Sequence, residues 1–380
     1  MIRYGVIGCG MMGQEHVRNI ALLPDARVQA IYEPDAAMAK AACALAPGAV
    51  FPRTLAALLE MDELDCLLIA SPNFCHVAQL EQLAQIRSLP ILVEKPLFTK
   101  AEDHRRITAF AARYRAPVWV AMEYRFMPPI AAFLARARQI TGGVAMLAIR
   151  EHRFPFLPKV GNWNRFNRLS GGTFVEKCCH FFDLMRLVLR SEPLRIMASG
   201  GQRVNHLQEC YAGQVPDILD NGYVIVDFTS GARAVLDLCM FAEGGRYQEE
   251  ICAVGPRGKI EALVPGPCRF WPQDLGPPPV AQLVISPRDP VGPWQEDIPV
   301  DPALLAAGDH NGATFFQHQR FGDLVRGHIA HPEVSLQDGT MAVLMGLAAQ
   351  VSIDEGRVVS MDEDIFAAPA AAHPWARQRS

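Results

Sequence analysis

The sequence lacks the features that mark several broad classes of protein. Its 380 residues contain no block of basic residues and carry a net charge of −4, so nothing indicates a nucleic-acid partner or an anionic membrane surface. No apolar run is long enough to span a membrane, and the N-terminus lacks the basic and apolar regions of a secretory leader. We therefore expect neither a membrane nor a nucleic acid as a partner.

The ten cysteines also lack any pattern of metal or disulfide chemistry. They include no CxxC pair and no His–Cys arrangement with zinc spacing, so the sequence predicts no metal site. Cys9, Cys66 and Cys239 lie inside apolar runs, as reduced cysteines of protein cores do. A reducing, cytoplasmic compartment is the simplest expectation.

The sequence does contain enough apolar residues, 50% of the total, for two packed cores. Residues 1–123 alternate strand-like apolar runs with helix-like segments, a pattern typical of βαβ units. The apolar runs show no polar alternation, which indicates strands covered on both faces. This part of the chain is predicted to be an α/β domain with a doubly wound parallel sheet.

Residues 124–363 show longer strand-like runs joined by short turns such as Ser230-Gly231. We expect an α+β domain there, with a large, mostly antiparallel open sheet. Proline-rich residues 265–280 are predicted to form a surface loop, and residues 364–380 a frayed tail. Helices are predicted over residues 172–190, 318–329 and 337–356.

The stretch GVIGCGMMG near the N-terminus follows a strand-like run and opens a helix-like one. Gly8, Gly10 and Gly13 form the spacing GxGxxG, which allows a tight turn, close approach to a pyrophosphate and close helix–strand packing. Met11 and Met12 then begin the helix whose free N–H groups meet the phosphates. A glycine-rich packing turn without a ligand is the alternative.

Glu33 ends the second strand-like run, twenty residues beyond the last of these glycines. A carboxylate at this position can accept hydrogen bonds from both ribose hydroxyls, and it repels a 2′-phosphate. Since no arginine lies immediately beside it, the sequence favours NAD over NADP as the cofactor. The alternative is a solvated carboxylate at a strand end.

Two segments place glutamate and lysine side by side, ILVEKPLFTK and FVEKCCHFFD. In the first, Glu94 and Lys95 end a strand-like run, and ligands of open α/β sheets bind beyond the carboxyl ends of strands. We therefore expect both residues beside the cofactor, with Pro96 a candidate for a cis peptide bond. An exposed lysine at a strand end is the alternative.

Six stretches follow one another in a fixed order: GVIGCGMMGQEH, LLIASPNFCH, VEKP, YRFMP, SGGTFVEKCCHFFD and IDEGRVVSM. Together they resemble the glucose–fructose oxidoreductase, inositol dehydrogenase and MocA family of NAD(P)-dependent oxidoreductases. The resemblance implies a nucleotide-binding N-terminal domain and a C-terminal open sheet that carries the interface of a homodimer or homotetramer. It also implies that Lys95 and His180 flank the reacting carbon of the substrate.

The spacing of the second segment supports this role, since Glu176, His180 and Asp183 lie near one face of a continuous helix. His180 is the predicted general base, because histidine titrates nearest neutrality. Glu176, where the family usually has Asp, is predicted to orient it, and Lys95 to stabilise charge on the substrate oxygen. Asp183 remains open between substrate contact and helix packing.

Lys177, Cys178 and Cys179 replace small or apolar residues of the family. Lys177 is predicted either to bind a substrate hydroxyl or carboxylate or to pair with Glu176. The two cysteines are expected to pack rather than react.

Three polar residues follow another predicted strand and can meet the nicotinamide ribose: Ser71, Asn73 and His76. His76 can instead cap the next helix, and we favour that structural role. Tyr124 and Arg125 resemble the family's aromatic–Arg segment, although Arg125 is equally well explained as an interdomain ion pair.

Two further stretches offer candidates for substrate contact. Trp163 and Arg165 lie in an aromatic and basic loop, where stacking and hydrogen bonds to a sugar are one reading and an ordered loop is the other. His310 lies in a polar–aromatic stretch before a helix, at a position that often reaches the substrate in the family.

The leading hypothesis is an NAD-dependent dehydrogenase that oxidises a secondary hydroxyl of a polyol, inositol, sugar or glycoside. One alternative is an enzyme that retains NAD and oxidises its substrate transiently to eliminate a glycosidic group. Another is a non-catalytic NAD-binding sugar sensor. The presence of Lys95 and His180 argues against the sensor, since relatives of that kind tend to lose them.

Overall fold

The structure, a computed structural model, describes residues 1–289 and 292–366. Most of the predicted tail, residues 367–380, lies outside the described residues. The chain forms two compact units, and the first comprises residues 1–128, 157–171 and 300–339. The second comprises the remaining described residues. Because these units are discontinuous in sequence, the predicted domain boundaries at residues 123 and 363 stay predictions.

The elements of the described residues are numbered in chain order. The strands are β1 (Ile2–Ile7), β2 (Ala26–Tyr32), β3 (Cys66–Ile69), β4 (Ile91–Val93), β5 (Val118–Val120), β6 (Met146–His152), β7 (Pro193–Gly201), β8 (Asn221–Phe228), β9 (Arg233–Cys239), β10 (Glu249–Gly255), β11 (Gly258–Val264), β12 (Ala281–Pro287), β13 (Trp294–Ile298) and β14 (Val359–Ser360). The helices are α1 (Met11–Ala21), α2 (Ala36–Leu45), α3 (Leu55–Leu59), α4 (His76–Ile86), α5 (Asp103–Arg113), α6 (Pro128–Thr141), α7 (Asn167–Ser170), α8 (Thr173–Glu176), α9 (Cys179–Leu189), α10 (Pro302–Ala307), α11 (Ala313–Val325) and α12 (Leu336–Glu355).

The first unit is built on a parallel sheet with the strand order β2-β1-β3-β4-β5. Every residue of β3, β4 and β5 is buried, as the unbroken apolar runs predict for strands covered on both faces. The predicted doubly wound α/β class is therefore confirmed. Because the strands are parallel, their carboxyl ends share one edge, which is where Glu33, Ser71, Glu94 and Glu123 follow their strands.

Residues 300–339 complete the first unit with α10 and α11, both of which pack against α1. The helix predicted over residues 318–329 begins earlier, at Ala313, and ends at Val325. The backbone N–H of Val120, the last residue of β5, donates to the carbonyl of Val334, so this segment also extends beside the sheet. Because α11 packs against α1, polar residues of α11 lie next to that helix.

The second unit is built on a sheet with the order β13-β12-β11-β10-β6-β9-β8-β7-β14. All neighbouring strands run antiparallel except β6 and β9, so the predicted mostly antiparallel sheet is confirmed. Residues of β11 alternate between buried and half-buried, which gives the sheet one core face. The predicted surface loop over residues 265–280 contains no strand and is largely exposed.

Two of the predicted helices lie wholly or partly in the second unit, and one of these predictions needs correction. The helix expected over residues 337–356 is α12, which begins in the first unit and continues in the second. The single helix expected over residues 172–190 is wrong: the chain forms α8 and α9 with a turn between them. No helix of the described residues is both long enough and apolar enough to cross a membrane.

Candidate active site

The glycine turn between β1 and α1 has the geometry that a dinucleotide needs. Gly8 has φ +85°, and a Cβ built on it would lie 2.6 Å from the backbone of Ser71. A Cβ on Gly13 would lie 2.5 Å from the carbonyl oxygen of Gly8, so this glycine allows the helix to pack closely. A Cβ on Gly10 would meet none of the described residues within 4 Å. The space beside Gly10 is therefore open to a phosphate.

The N-terminus of α1 offers free backbone donors beside that open space. The helix begins at Met11, which is exposed, followed by half-buried Met12. No side chain of the described residues caps it, and its first turn contains no acidic residue. The N–H groups and the positive end of the helix dipole thus suit an anion such as a pyrophosphate.

Glu33 lies at the carboxyl end of β2, next to the glycine turn. Its Oε2 accepts a hydrogen bond from the backbone N–H of Cys9 at 2.6 Å, and its Oε1 accepts one from Asp35 at 2.9 Å. These two bonds fix the carboxylate while the side chain stays partly exposed. Each oxygen keeps a lone pair for a ribose hydroxyl, so the residues of this unit fit NAD.

The polar residues that follow β3 bond mainly to the protein itself. Ser71 Oγ donates to Gln79 Oε1 at 2.6 Å, and Asn73 Nδ2 donates to the Ser170 carbonyl at 3.0 Å. The ring of His76, the first residue of α4, lies between the carbonyls of Pro96 at 2.8 Å and Ser71 at 3.0 Å. Burial lowers the pKa of His76, which favours the neutral ring. Cofactor contact by these three residues stays a prediction.

Lys95 follows β4 at the carboxyl edge of the sheet and is half-buried, and its bond to Pro96 is cis, as considered from the sequence. Its backbone N–H donates to Oε2 of the buried Glu94 at 3.1 Å. Glu94 Oε1 lies 2.9 Å from Nε2 of His16, whose Nδ1 lies 2.8 Å from Nε2 of His318. A buried chain of side chains thus supports the segment that carries the lysine.

The pKa shifts along this chain of side chains differ in direction between its two ends. Burial acts to lower the pKa of His16, but the hydrogen bond and charge of Glu94 outweigh it and raise that pKa. Burial acts to raise the pKa of Glu94, but His16 and Lys95 lower it. The pKa of His318 lies well below its ordinary value because of burial and the His16 charge. A protonated His16 would donate to both neighbours, and the lowered pKa of His318 favours its neutral ring.

A second polar cluster in the first unit joins Glu15, Glu123, His310 and Thr314. His310 Nδ1 lies 2.7 Å from Glu15 Oε1 and 3.5 Å from Glu123 Oε1. Burial acts to raise the pKa of Glu15, but His310 outweighs this and lowers it to about 2. Burial raises the pKa of Glu123 above its ordinary value. His310, a predicted substrate residue, thus lies between two buried acids, and the predicted substrate contact stays a prediction.

Other predicted substrate residues of the first unit are held by neighbours within that unit. Arg125 donates to the Glu333 carbonyl at 2.8 Å and lies 3.7 Å from Asp338, so this ion pair is internal to the unit rather than interdomain. The ring of the buried Tyr124 lies 6.0 Å from that of His310. Substrate contact by Tyr124 and Arg125 stays a prediction.

The loop predicted to be aromatic and basic folds on itself in the first unit. Lys159 Nζ lies 4.4 Å from the ring centroid of Trp163, and Phe74 makes an edge contact with the same ring at 6.1 Å. Both Trp163 and Arg165 are almost completely buried. An ordered loop anchored by its tryptophan is thus present, and substrate contact by either residue stays a prediction.

In the second unit, a widened turn separates Glu176 from His180. The N–H of Cys178 donates to the carbonyl of Thr173, five residues earlier, at 3.4 Å, rather than to the residue four earlier. Glu176 therefore ends α8, while His180 and Asp183 lie in the first two turns of α9. All three are buried. The extra residue in the turn interrupts the predicted continuous helix, and the predicted shared face of the three side chains stays a prediction.

Lys177 lies in this turn and contacts an acid that the sequence did not suggest. Its Nζ lies 2.9 Å from Oε1 of Glu151 on β6, whose partner across the ladder is Glu249 of β10. Burial lowers the pKa of Lys177, and burial together with the Glu151 charge raises that of Glu249 to about 7. Lys177 thus contacts one member of a buried Glu151–Glu249 pair, and its predicted pairing with Glu176 stays a prediction.

Comparisons with known proteins show that two family models match most of this chain. Residues 2–122 match the family model described as "Oxidoreductase family, NAD-binding Rossmann fold", and residues 138–361 match that of its C-terminal alpha/beta domain. The chain belongs to the Gfo/Idh/MocA family. It is an oxidoreductase with an NAD-binding Rossmann domain, which confirms the predicted cofactor and the predicted class of dehydrogenase acting on CH–OH groups.

Proteins similar to this Gfo/Idh/MocA chain include named relatives and proteins of known structure. Rhizopine catabolism protein MocA of Rhizobium meliloti is 29% identical over 275 residues, which cover 72% of this chain and 80% of the relative. Myo-inositol 2-dehydrogenase of Thermotoga maritima is 25% identical over 368 residues, or 96% and 100% of the two chains. A myo-inositol dehydrogenase structure from Corynebacterium glutamicum matches with a TM-score of 0.73 at 22% identity, covering 96% of this chain and 99% of that one.

Proposed function

We propose that this Gfo/Idh/MocA protein oxidises a secondary hydroxyl of a neutral polyol, an inositol or a sugar derivative, with NAD as the hydride acceptor. The observation that carries the proposal is the position of Lys95, at the carboxyl end of β4 in the same unit as the glycine turn and Glu33. Relatives named inositol 2-dehydrogenase support this substrate class.

The proposal gives Lys95 and His180 different roles in the oxidation of the hydroxyl group. Lys95 donates a hydrogen bond to the hydroxyl oxygen and stabilises the negative charge that develops on it. His180 accepts the hydroxyl proton, and Glu176 is the positioning residue that orients its ring. NAD, when bound, takes the hydride, so the secondary alcohol becomes a ketone and one proton is released.

The protein supplies positioning for these groups. The hydrogen bond from the Lys95 backbone to Glu94, and that of Glu94 to His16, hold the end of β4. His180 is buried in the first turn of α9, where a base is shielded from bulk water. Glu33 favours NAD over NADP because its charge repels a 2′-phosphate. A homodimer or homotetramer is part of the proposal, and light scattering of the purified protein tests it.

The experiment is NADH formation by the purified protein across a panel of inositols, sugars and glycosides, with NAD and NADP in parallel. We expect K95M and H180N each to lower kcat by about 10²- to 10⁴-fold, with NAD binding retained. Exposed Lys100→Met and His328→Asn are matched controls.

Turnover of K95M or H180N at the wild-type rate would contradict the assigned roles. Wild-type protein that retains NAD tightly, releases no NADH with any member of the panel and cleaves a glycoside would contradict the dehydrogenase and support transient oxidation instead.

A further inference from the structure

Three metal-ligand side chains meet in the first unit from segments that are far apart in sequence. Glu15 belongs to α1, Glu123 follows β5, and His310 lies between α10 and α11. One oxygen or nitrogen atom of each lies within 4.8 Å of those of the other two. The proposed hydride chemistry uses neither glutamate, so the cluster needs an account of its own.

Glu123 has an incomplete set of partners. Its side chain is 0% exposed, and its Oε1 accepts no hydrogen bond from the described part of the chain. This oxygen faces the cluster, because it lies 3.5 Å from Nδ1 of His310. A buried carboxylate oxygen without a donor is costly. A proton or a cation at this oxygen would compensate for it.

The hydroxyl group of Thr314 shows the same deficit. It lies 3.0 Å from Glu15 Oε1 and 2.6 Å from Glu123 Oε2, although one hydroxyl carries one proton. At most one of these two contacts is therefore a donated hydrogen bond. Two carboxylates with one histidine cation sum to −1, whereas two carboxylates, a neutral imidazole and a divalent cation sum to zero.

We propose that Glu15, Glu123 and His310 bind a divalent first-row transition-metal ion of the Mn²⁺ or Zn²⁺ class. The ligand atoms are Glu15 Oε1, Glu123 Oε1 and His310 Nδ1. Metal bonds of about 2.1 Å place neighbouring ligand atoms about 3.0–3.4 Å apart. The His310 nitrogen lies 2.7 Å and 3.5 Å from the two oxygens, so small side-chain shifts suffice. The imidazole favours this class over Mg²⁺ or Ca²⁺, which prefer oxygen ligands.

The surroundings leave a route and room for the ion. The side chain of His310 is 20% exposed, whereas those of the two glutamates are almost fully buried, so the ion enters beside the histidine. Gly308 has no side chain at a point where a Cβ would lie 2.2 Å from Glu15 Oε1. A bound ion would tie α1 to the segment before α11 and stabilise the first unit by mass action.

The test uses the full chain, stripped with a chelator and then titrated with Mn²⁺, whose free fraction is read by electron paramagnetic resonance. A competing zinc indicator dye measures Zn²⁺. We expect one equivalent per chain, and we expect E123Q and E15Q each to weaken binding by about 100-fold or more. Exposed Glu102→Gln and His328→Ala are matched controls that keep wild-type binding.

A second measurement on the wild-type protein makes the test independent of how the variants fold. If a cation compensates for Glu123, the infrared band of a protonated carboxyl group that E123Q removes from the stripped protein also disappears from the wild type when Mn²⁺ is added, whereas a band that E249Q removes remains. Wild-type protein that binds no ion, or a protonated-carboxyl band that E123Q removes and Mn²⁺ leaves unchanged, would overturn the proposal in favour of a proton on Glu123.

Discussion

The buried Glu151–Glu249 pair makes the stability of the second unit depend on pH, and the substitution Glu249→Gln tests this. The two carboxyl groups are opposite each other in the β6–β10 ladder, and both are buried. Burial and the charge of Glu151 raise the pKa of Glu249 from 4.5 to about 7, although Lys177 acts in the opposite direction. The amide of glutamine imitates the protonated carboxyl group without its ability to ionise.

The sign of the effect follows from the two protonation states. Because the pKa of Glu249 is higher in the folded protein, the folded chain still binds the proton after the unfolded chain has lost it. This contribution to the free energy of unfolding is complete below about pH 4.5 and is lost as the pH rises through 7. At 1.36 kcal/mol per pH unit, the interval from 4.5 to 7 corresponds to at most about 3 kcal/mol.

The assay is urea denaturation of wild-type and E249Q protein between pH 5 and pH 8. We expect the wild type to lose up to about 3 kcal/mol relative to E249Q across this range, since histidine titrations are common to both and cancel. Glu250→Gln on the same strand is the control, because its carboxylate is 38% exposed and pairs with Arg150. An identical pH dependence for wild type and E249Q would refute this account of the pair.

Three further predictions concern the cofactor turn and the buried lysine. Gly10→Ala should leave the thermal midpoint of the NAD-free protein unchanged and raise the Kd for NAD by about 10-fold or more. Gly13→Ala should lower the thermal midpoint, because the Cβ of the new alanine would clash with the backbone. Glu33→Gln removes the charge and replaces one of the two acceptor oxygens, which bind the N–H groups of Cys9 and Asp35, by an NH2 group. Steady-state kinetics should therefore show the preference for NAD over NADP falling by about 10-fold. Lys177→Met should lower the free energy of unfolding in urea by up to about 3–5 kcal/mol, because it removes the nearer cation of the buried Glu151 and leaves it with the more distant Arg153, at 3.6 Å; unchanged stability would contradict this.

The first unit could be predicted closely because its signals are local. An unbroken apolar run specifies a strand covered on both faces, and Gly8, Gly10 and Gly13 specify the turn that follows it. Glu33 and Lys95 were placed correctly at strand ends because a parallel sheet collects its carboxyl ends at one edge. These features depend on a few neighbouring residues and on one topological rule.

The polar clusters could not be predicted, because their members come from distant parts of the chain. His16 and His318 belong to α1 and α11, and neither periodicity nor spacing relates them. Glu123 follows a predicted strand, but nothing in the sequence indicates that His310 lies beside it. The prediction of a single helix over residues 172–190 was wrong for a different reason. Apolar periodicity reports a buried face, and it continues through the widened turn at Cys178.

The position of Lys177 adds a third role to the two that the sequence left open, which were substrate binding and pairing with Glu176. If the lysine acts as the cation of the Glu151–Glu249 pair, K177M loses stability while kcat/KM stays within a few-fold of wild type, and adding E249Q recovers part of the loss, because it removes the second acid. If the lysine binds substrate instead, K177M raises KM with little loss of stability, and E249Q rescues nothing. The 2.9 Å contact with Glu151 and the burial of all three groups favour the first result. A buried ammonium that already neutralises a protein carboxylate has less charge to offer a ligand, so we expect neutral polyols to be turned over in preference to their carboxylate derivatives.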